Sequence, residues 1–205
     1  MLYGEKTKTN SESVLPMKFY ARDTVCVARD LLGCVIETYV RRTRTSGRIV
    51  EVEAYLGPHD PASHSANWRR TARTEPMYGP PGTAYVYRAY GIHWCFNAVT
   101  EREEYPAAVL VRALEPMEGS AAMSRRRGRQ DHRLLCSGPG RLTQALGITS
   151  AFNQAPLDDA LIVVKRGTPP PNRKVGSGVR IGVSQAADWE LRFFEHDSPW
   201  LSRPG

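Results

Sequence analysis

The sequence predicts a mixed α+β protein whose sheet is mostly antiparallel. Candidate strands follow one another along the 205 residues with few helices between them, so parallel βαβ units are not indicated. The aromatic-rich segment TAYVYRAYGIHWCFNAV (83–99) also reads as two strands joined at Tyr90-Gly91, where glycine readily takes a positive φ. A chain of this length most simply forms one domain.

The first elements are an extension, a helix and two strands. Residues 1–15 are polar, and we expect a flexible extension before a single domain that spans 16–205. Asp23 is a suitable N-cap and Gly33 a suitable terminator, which predicts a helix between them. CVIETYV (34–40) predicts a strand, RRTRTSG (41–47) a basic turn, and GRIVEVEAYL (47–56) a second strand.

The remaining elements follow a loop rich in Pro, His, Asn and Arg. After the hairpin, AAVLVRAL (107–114) predicts a strand, and the next helix becomes basic at RRRGR (125–129), which we interpret as a solvated helix end. SGPGRLTQALG (137–147) predicts a loop that opens another helix. Further strands are predicted at ALIVVKRG (160–167), VGSGVRIGVS (175–184) and LRFFEH (191–196).

Charge and cysteine content limit the functional classes. Lys and Arg number 28 against 21 Asp and Glu, and the resulting net charge of +7 favours a polyanionic partner. The four cysteines form no C-x-x-C pair, which argues against a zinc finger or iron–sulfur cluster. No apolar run is long enough for a membrane span, and the start lacks the apolar core of a signal peptide. We therefore expect a cytoplasmic protein that binds no membrane.

The strand GRIVEVEAYL carries two carboxylates on one face. Strict alternation places Glu51 and Glu53 with Ile49 and Tyr55, and puts on the opposite face Val50, Val52, Ala54 and Leu56. Either this is a surface strand with its acids in water, or it is a rigid scaffold that holds a carboxylate for chemistry.

An arginine lies in the middle of the apolar strand VLVRAL. Alternation places Arg112 on one face with Leu110 and Leu114, and a buried arginine is rare unless it is paired. The economical inference is a carboxylate partner, for which Glu53 is the natural candidate. The alternative is an arginine at a strand end that extends to water.

Two further groups of residues suggest binding or catalysis. Tyr90 at a hairpin tip has the form of a wedge that enters a base stack, and Arg88 and His93 beside it would suit phosphates. HDPASH (59–64) places two histidines and an aspartate after the carboxylate strand, which with Glu53 could form a hydrolytic metal site. A solvated loop histidine is the commonest fate of such residues, and a third interpretation is a neutral His64 that donates a hydrogen bond within a pocket.

Several catalytic motifs are absent. The sequence contains no nucleotide-triphosphate loop and no G-x-G-x-x-G, and Ser137 lacks the context of a hydrolase nucleophile. Between Lys18 and Lys165 there is no lysine, so no primary amine of a side chain lies near these motifs to form a Schiff base.

Four blocks together resemble one family. In this order, GRIVEVEAYLG with HDPASHS, PGTAYVYRAYGIHWCFN, VLVRALEP and LCSGPGRL are similar to the alkyladenine (3-methyladenine) DNA glycosylases of the mammalian alkyladenine type. The resemblance extends from about Phe19 to the SPW near the C-terminus, nearly the whole chain.

The resemblance assigns roles to residues of this sequence. It implies that Glu53 is the general base and that Arg112 helps it to hold the attacking water. The implied substrate-binding residues are Tyr55, His64 and Tyr87, which form the base pocket, and Asn97, which crowds the 2-amino group of guanine. Tyr90 is implied as the intercalating wedge. DNA-backbone candidates are Arg88, His93 and Arg141.

The resemblance also implies a fold and a reaction. The fold would be a single domain around a curved, open-barrel-like antiparallel sheet, with peripheral helices and a protruding hairpin. The enzyme would flip an alkylated or deaminated purine out of duplex DNA and hydrolyse its N-glycosidic bond with a Glu-activated water. The candidate lesions are 3-methyladenine, 7-methylguanine, hypoxanthine and ethenoadenine.

Because no lysine lies near these motifs, we expect a monofunctional enzyme that leaves an intact abasic site, has no lyase activity and needs neither metal nor cofactor. We expect a monomer in the cytoplasm, associated with the nucleoid if the source is prokaryotic. Two alternatives remain open: a non-enzymatic DNA-binding module, and a metal-dependent hydrolase built on HDPASH.

Overall fold

An eight-stranded antiparallel sheet, curled into a half-barrel, organises residues 14–204, the part of the chain that this computed structural model describes. Its strands are β1 (Val35–Val40), β2 (Thr43–Tyr55), β3 (Ala84–Ala89), β4 (His93–Thr100), β5 (Ala107–Pro116), β6 (Ile162–Lys165), β7 (Val175–Gly178) and β8 (Arg192–Glu195). The α-helices are α1 (Met17–Tyr20), α2 (Thr24–Leu31), α3 (Ser120–Arg127) and α4 (Pro139–Leu146). The predicted fold class is confirmed.

The long strand β2 lies at the centre of the sheet. The strand order is β3-β4-β5-β2-β1-β6, and β8 pairs with both β2 and β7. One edge of β2 pairs with β5, while the other pairs first with β1 and then, at Glu51–Glu53, with β8. The two carboxylates are therefore enclosed by neighbouring strands, which favours the interpretation of β2 as a rigid scaffold over that of a surface strand.

Local signals set the helix ends and the hairpin as predicted. The Asp23 carboxylate accepts a hydrogen bond from the Cys26 backbone at 2.9 Å and so caps α2. Glycine in the left-handed region follows α4 at Gly147, where φ is 73°. β3 and β4 pair from Ala84↔Ala98 to Ala89↔His93, which confirms the hairpin around Tyr90 and Gly91.

Two predicted boundaries are wrong. The basic turn contains only Arg41 and Arg42, whose φ values of 49° and 62° suit a two-residue hairpin turn, so β2 already begins at Thr43. The strand predicted at 175–184 ends at Gly178. Residues 179–185 leave the sheet, because Arg180 turns inward to form a buried ion pair with Asp60.

Strict alternation holds along β2 only from Glu51 onward. Ile49 belongs to the same apolar core as Val52 and Ala54, whereas Val50 is buried outside that core. The pairing of β2 with β5 shifts register between Ile49 and Val52, and this irregularity breaks the simple period of two. The prediction that Ile49 shares a face with the carboxylates is not supported.

The chain start is described only from Val14. Residues 1–13 of the predicted flexible extension lie outside the described part. Val14 forms a bridge with Lys165, and the buried Leu15 donates its backbone N–H to Val164, so these two residues belong to the domain. Within residues 14–204, no helix is both long and apolar enough to cross a membrane.

Candidate active site

A cavity of about 410 Å³ brings together most of the residues that the sequence singled out. Tyr55 reaches it from the end of β2, Tyr87 from β3 and Asn97 from β4, while His64 enters from the loop after β2. The remainder of the lining includes Arg73, Met77, Tyr85, Ala108 and the loop residues Gly182–Gln185. This volume lies within the usual range of small-molecule pockets.

Aromatic rings form one side of the cavity. The rings of Tyr85 and Tyr87 lie 5.2 Å apart at an angle of 31°, and His64 meets Tyr87 edge-on at 4.6 Å. Nδ1 of His64 lies 2.9 Å from the Tyr85 hydroxyl. Burial, assisted by the nearby Arg73 and Arg69, lowers the pKa of His64 to about 4. At neutral pH the imidazole is uncharged, as one of the three sequence interpretations holds.

The amide of Asn97 is held in a fixed orientation. The residue is buried on β4, directly opposite Tyr85 on β3, and its Nδ2 donates a 2.9 Å hydrogen bond to the Tyr85 carbonyl. This bond fixes the side chain against the cavity wall.

Glu53 lies one hydrogen bond behind that wall. It is fully buried and does not itself line the cavity, but the hydroxyl of Tyr55, which does, donates to its Oε2 at 3.0 Å. Its Oε1 accepts from the backbone of Ile181 at 2.7 Å and lies 3.2 Å from Nη1 of Arg112. Burial raises the pKa of Glu53, while Arg112, Ile181 and Tyr55 all oppose the rise.

Glu51 anchors Arg112 from the other side. Nε of Arg112 donates to Glu51 Oε1 at 3.1 Å, and Nε of Arg192 donates to the same oxygen at 2.8 Å. Ser202 donates its backbone N–H to Oε2 at 2.6 Å and its hydroxyl to Oε1 at 2.7 Å. Two buried carboxylates thus meet two buried guanidiniums. Arg112 has the predicted carboxylate partner Glu53, but its guanidinium also pairs with Glu51. Glu51 is buried within this network and is not solvated.

A second buried ion pair supports Tyr55. Arg180 and Asp60 are both fully enclosed, and Nη2 of Arg180 donates to Asp60 Oδ1 at 2.8 Å. The Arg180 guanidinium lies 4.8 Å from the centre of the Tyr55 ring, and it does not line the cavity. Arg180 therefore holds the ring of Tyr55 from outside the pocket.

The same ion pair weighs against a metal site in HDPASH. Both oxygens of Asp60 are taken by Arg180, and His59 faces outward against the ring of Trp68. Among residues 14–204, no three His, Cys, Asp or Glu side chains are grouped so that they could hold a metal ion.

The hairpin tip projects Tyr90 away from the protein at the cavity edge. Its side chain is 88% exposed, and its φ of 50° is uncommon for a bulky residue.

The three DNA-backbone candidates lie near this hairpin. Arg88 and His93 are exposed on its two strands, and α4 approaches His93 so closely that a Cβ on Gly140 would lie 2.8 Å from it. Arg141 follows Gly140 and bonds to Ser137.

The basic run at 125–129 is only partly solvated. Nη1 of Arg126 donates to the carbonyl of Ala145 at 2.8 Å and to Thr45 at 3.2 Å, so this side chain ties α3 to the end of α4. The interpretation of the whole run as a solvated helix end is wrong for Arg126.

Sequence reasoning missed several residues that organise the site. Arg180 and Arg192 each lie among apolar residues in segments predicted as strands. The same pattern led us to expect a carboxylate partner for Arg112, so it could also have identified these two arginines. Arg73 and Ser202 carry no comparable signal, because their positions depend on how distant loops fold over the sheet.

Comparison with known proteins gives a consistent set of relatives. A family model described as methylpurine-DNA glycosylase matches residues 18–199. A protein of Methanoculleus marisnigri named "Putative 3-methyladenine DNA glycosylase" is 50% identical over 192 residues, 92% of this chain and 98% of that protein. A protein of the same name from Rhodopseudomonas palustris is 50% identical over 91% of this chain and 86% of its own length. Another of that name from Myxococcus xanthus is 45% identical over 92% of this chain and 93% of its own length.

Proposed function

Because this chain belongs to the methylpurine-DNA glycosylase family and is thus a DNA glycosylase, we propose that it excises damaged purines by direct hydrolysis. A damaged nucleotide leaves the duplex, its base enters the aromatic cavity, and a water activated by Glu53 attacks C1′ of the deoxyribose. The observation that carries this proposal is the buried Glu53, joined by one hydrogen bond to Tyr55 in the cavity wall.

The cavity has the chemistry to select damaged bases. Alkylation at purine N3 or N7 gives a cationic base that is electron-poor and a good leaving group. Tyr87 and Tyr55 would attract such a base through cation–π contact, worth roughly 0.5–2 kcal/mol. A neutral His64 is suited to hydrogen bonding with a base edge, and the anchored Asn97 would crowd the 2-amino group of guanine.

The hydrogen bonds of Glu53 would leave it one lone pair for the attacking water. A carboxylate offers about four lone-pair positions. The backbone N–H of Ile181 takes one position of Oε1, the guanidinium of Arg112 forms an ion pair with the same oxygen at 3.2 Å, and Tyr55 takes one position of Oε2. The remaining lone pair of Oε2 would accept a proton from the attacking water. Arg112 favours the ionised carboxylate, and an ionised carboxylate also stabilises the oxocarbenium-like sugar.

Tyr90 would supply the wedge. Extrusion of a nucleotide costs a few kcal/mol of stacking and pairing. An aromatic ring on a rigid, exposed tip beside the cavity would fill the gap and restore part of that stacking. Arg88, His93 and Arg141 would bind the neighbouring phosphates. A single chain carries the cavity, the proposed general base Glu53 and the proposed wedge Tyr90, so we propose that the monomer is active.

The lesion spectrum is the first test of this proposal. Duplexes that each carry 3-methyladenine, 7-methylguanine, hypoxanthine or ethenoadenine are incubated with the protein in EDTA, and free base is measured by chromatography. We expect release of at least one of these bases, with an intact abasic strand as the other product. Failure to release any base would contradict the proposed function, and dependence on a metal would favour a hydrolase of another kind.

A borohydride arm of the same assay tests the monofunctional mechanism. Among residues 14–204, no lysine lines the cavity, and Lys165 is bound to Glu37 at 3.1 Å in the distant pairing of β6 with β1. We therefore expect no protein–DNA adduct on reduction, since a strand-cleaving glycosylase forms one through an amine. A trapped adduct would show that an amine takes part.

A further inference from the structure

An exposed guanidinium already lies against the aromatic wall of the cavity that the proposed function assigns to the base. The guanidinium carbon of Arg73 lies 4.9 Å from the centre of the Tyr87 ring. Its Nη2 is 3.3 Å from Nε2 of His64, and Arg73 is a lining residue of the cavity. A planar cation thus touches the same ring and the same imidazole that an alkylated purine would use.

Arg73 differs from the other arginines of its loop. Arg70 is committed to carboxylates, with bonds to Glu75 at 2.7 Å and to Glu104 at 2.6 Å. Arg69 is exposed and does not line the cavity. Among the described residues, no carboxylate lies within salt-bridge distance of Arg73. Its charge is therefore available to an anion that the protein itself does not supply.

The Arg73 side chain is exposed, whereas the backbone beside it is held by hydrogen bonds. The next residue, Thr74, is buried, and its hydroxyl binds both the carbonyl of Arg69 and the backbone N–H of Thr71. The guanidinium, by contrast, belongs to an exposed side chain, and its contacts at the cavity are one long hydrogen bond to His64, its stacking on the Tyr87 ring and its interaction with Tyr85. Rotation about its side-chain torsions lets it leave the cavity without any change in the loop.

We propose that Arg73 occupies the Tyr87 ring in the DNA-free enzyme and is displaced by the flipped base, whereupon its guanidinium binds a phosphate of the strand that carries the flipped nucleotide. The inference rests on the proposed function. It makes Arg73 a substrate-binding residue with two successive partners: an aromatic ring before base entry and a phosphodiester after it.

This exchange affects free bases and DNA in opposite directions. A free base must displace the guanidinium and brings no phosphate to receive it. A nucleotide within DNA brings its own phosphate, so a charge-assisted hydrogen bond replaces the stacking that Arg73 gives up when it leaves Tyr87. Removal of Arg73 should therefore strengthen the binding of a free base and weaken the binding of a lesion duplex.

The experiment compares Arg73→Ala with wild type and uses Arg69→Ala as the matched control. The free-base probe is ethenoadenine, followed by its fluorescence. We expect Arg73→Ala to bind it about 5-fold more tightly than wild type, a difference of ~1 kcal/mol. Arg69→Ala should bind it as wild type does, because Arg69 does not line the cavity.

Duplex binding is measured in a Glu53→Gln background, so that the ethenoadenine duplex is not cut during titration. Adding Arg73→Ala should weaken binding and reduce the slope of log affinity against log salt by about 0.9, as removal of one phosphate-binding charge requires. Unchanged free-base affinity in Arg73→Ala, or an unchanged salt slope, would overturn the proposal. If wild type released no base from any lesion duplex, the proposed function would fail instead, and the free-base arm would still decide whether Arg73 competes for the cavity.

Discussion

At the scale of single residues, the proposed chemistry depends on opposing effects on one carboxyl group. Burial raises the pKa of Glu53, whereas the guanidinium of Arg112 and two hydrogen-bond donors lower it. Arg112 cannot move toward Glu53 freely, because Glu51 holds its Nε, and Glu51 is itself held by Arg192 and Ser202. Ser202, near the end of the chain, therefore contributes to the position of the guanidinium that faces the proposed general base.

Arg112→Gln should shift the pH profile of base release. A general base must be ionised, so kcat/KM rises with pH through the pKa of Glu53. Arg112 lowers that pKa, and its removal should move the acidic limb to higher pH. The measurement is kcat/KM against pH on a duplex with one lesion.

Arg192→Gln is the control, since Arg192 binds Glu51 and not Glu53. Arg192→Gln should move the acidic limb of the pH profile less than Arg112→Gln does. An acidic limb that stays in place or moves to lower pH in Arg112→Gln would show that Arg112 does not tune Glu53.

At the scale of elements, the sequence predicted those pieces whose signals are local. The cap at Asp23, the hairpin at Tyr90 and the apolar strand around Arg112 follow from neighbouring residues alone. The prediction that the strand continues over 179–184 is wrong. The apolar residues there would suit a strand, but Arg180 turns inward to pair with Asp60, which is distant in the sequence. The resemblance named the cavity residues, whereas the network behind them needed the structure.

The pair of Arg180 and Asp60 should dominate the stability of this loop. Arg180→Ala leaves a buried carboxylate without its partner, which costs about 3–5 kcal/mol in the free energy of unfolding. Urea denaturation of the variant and wild type measures the difference.

Arg70→Ala is the matched control, because it removes an ion pair that is open to solvent. It should change the free energy of unfolding far less than Arg180→Ala does. If the two variants were equally stable, Arg180 and Asp60 would not form a buried pair that stabilises the loop.

At the scale of the whole molecule, the central strand β2 of the half-barrel carries the proposed catalytic residue and is held by the strands on both sides of it. β2 carries Glu51, Glu53 and Tyr55 in alternation, while its neighbours β5 and β8 supply Arg112 and Arg192. The hairpin β3–β4 lies beyond β5 and carries the cavity ring Tyr87 and the exposed Tyr90. Composition predicted an anionic partner, but not which arginines are free for it, because Arg126, Arg180 and Arg192 serve the fold instead.

The role proposed for Glu53 is tested by single-turnover base release by Glu53→Gln on a duplex with one lesion that wild type cleaves. Loss of a general base should slow release by ~10²–10⁴-fold. Affinity for the lesion duplex should remain close to that of wild type, because Glu53 lies behind the cavity wall and not in it. A release rate in Glu53→Gln within a few-fold of wild type would show that Glu53 does not activate the water.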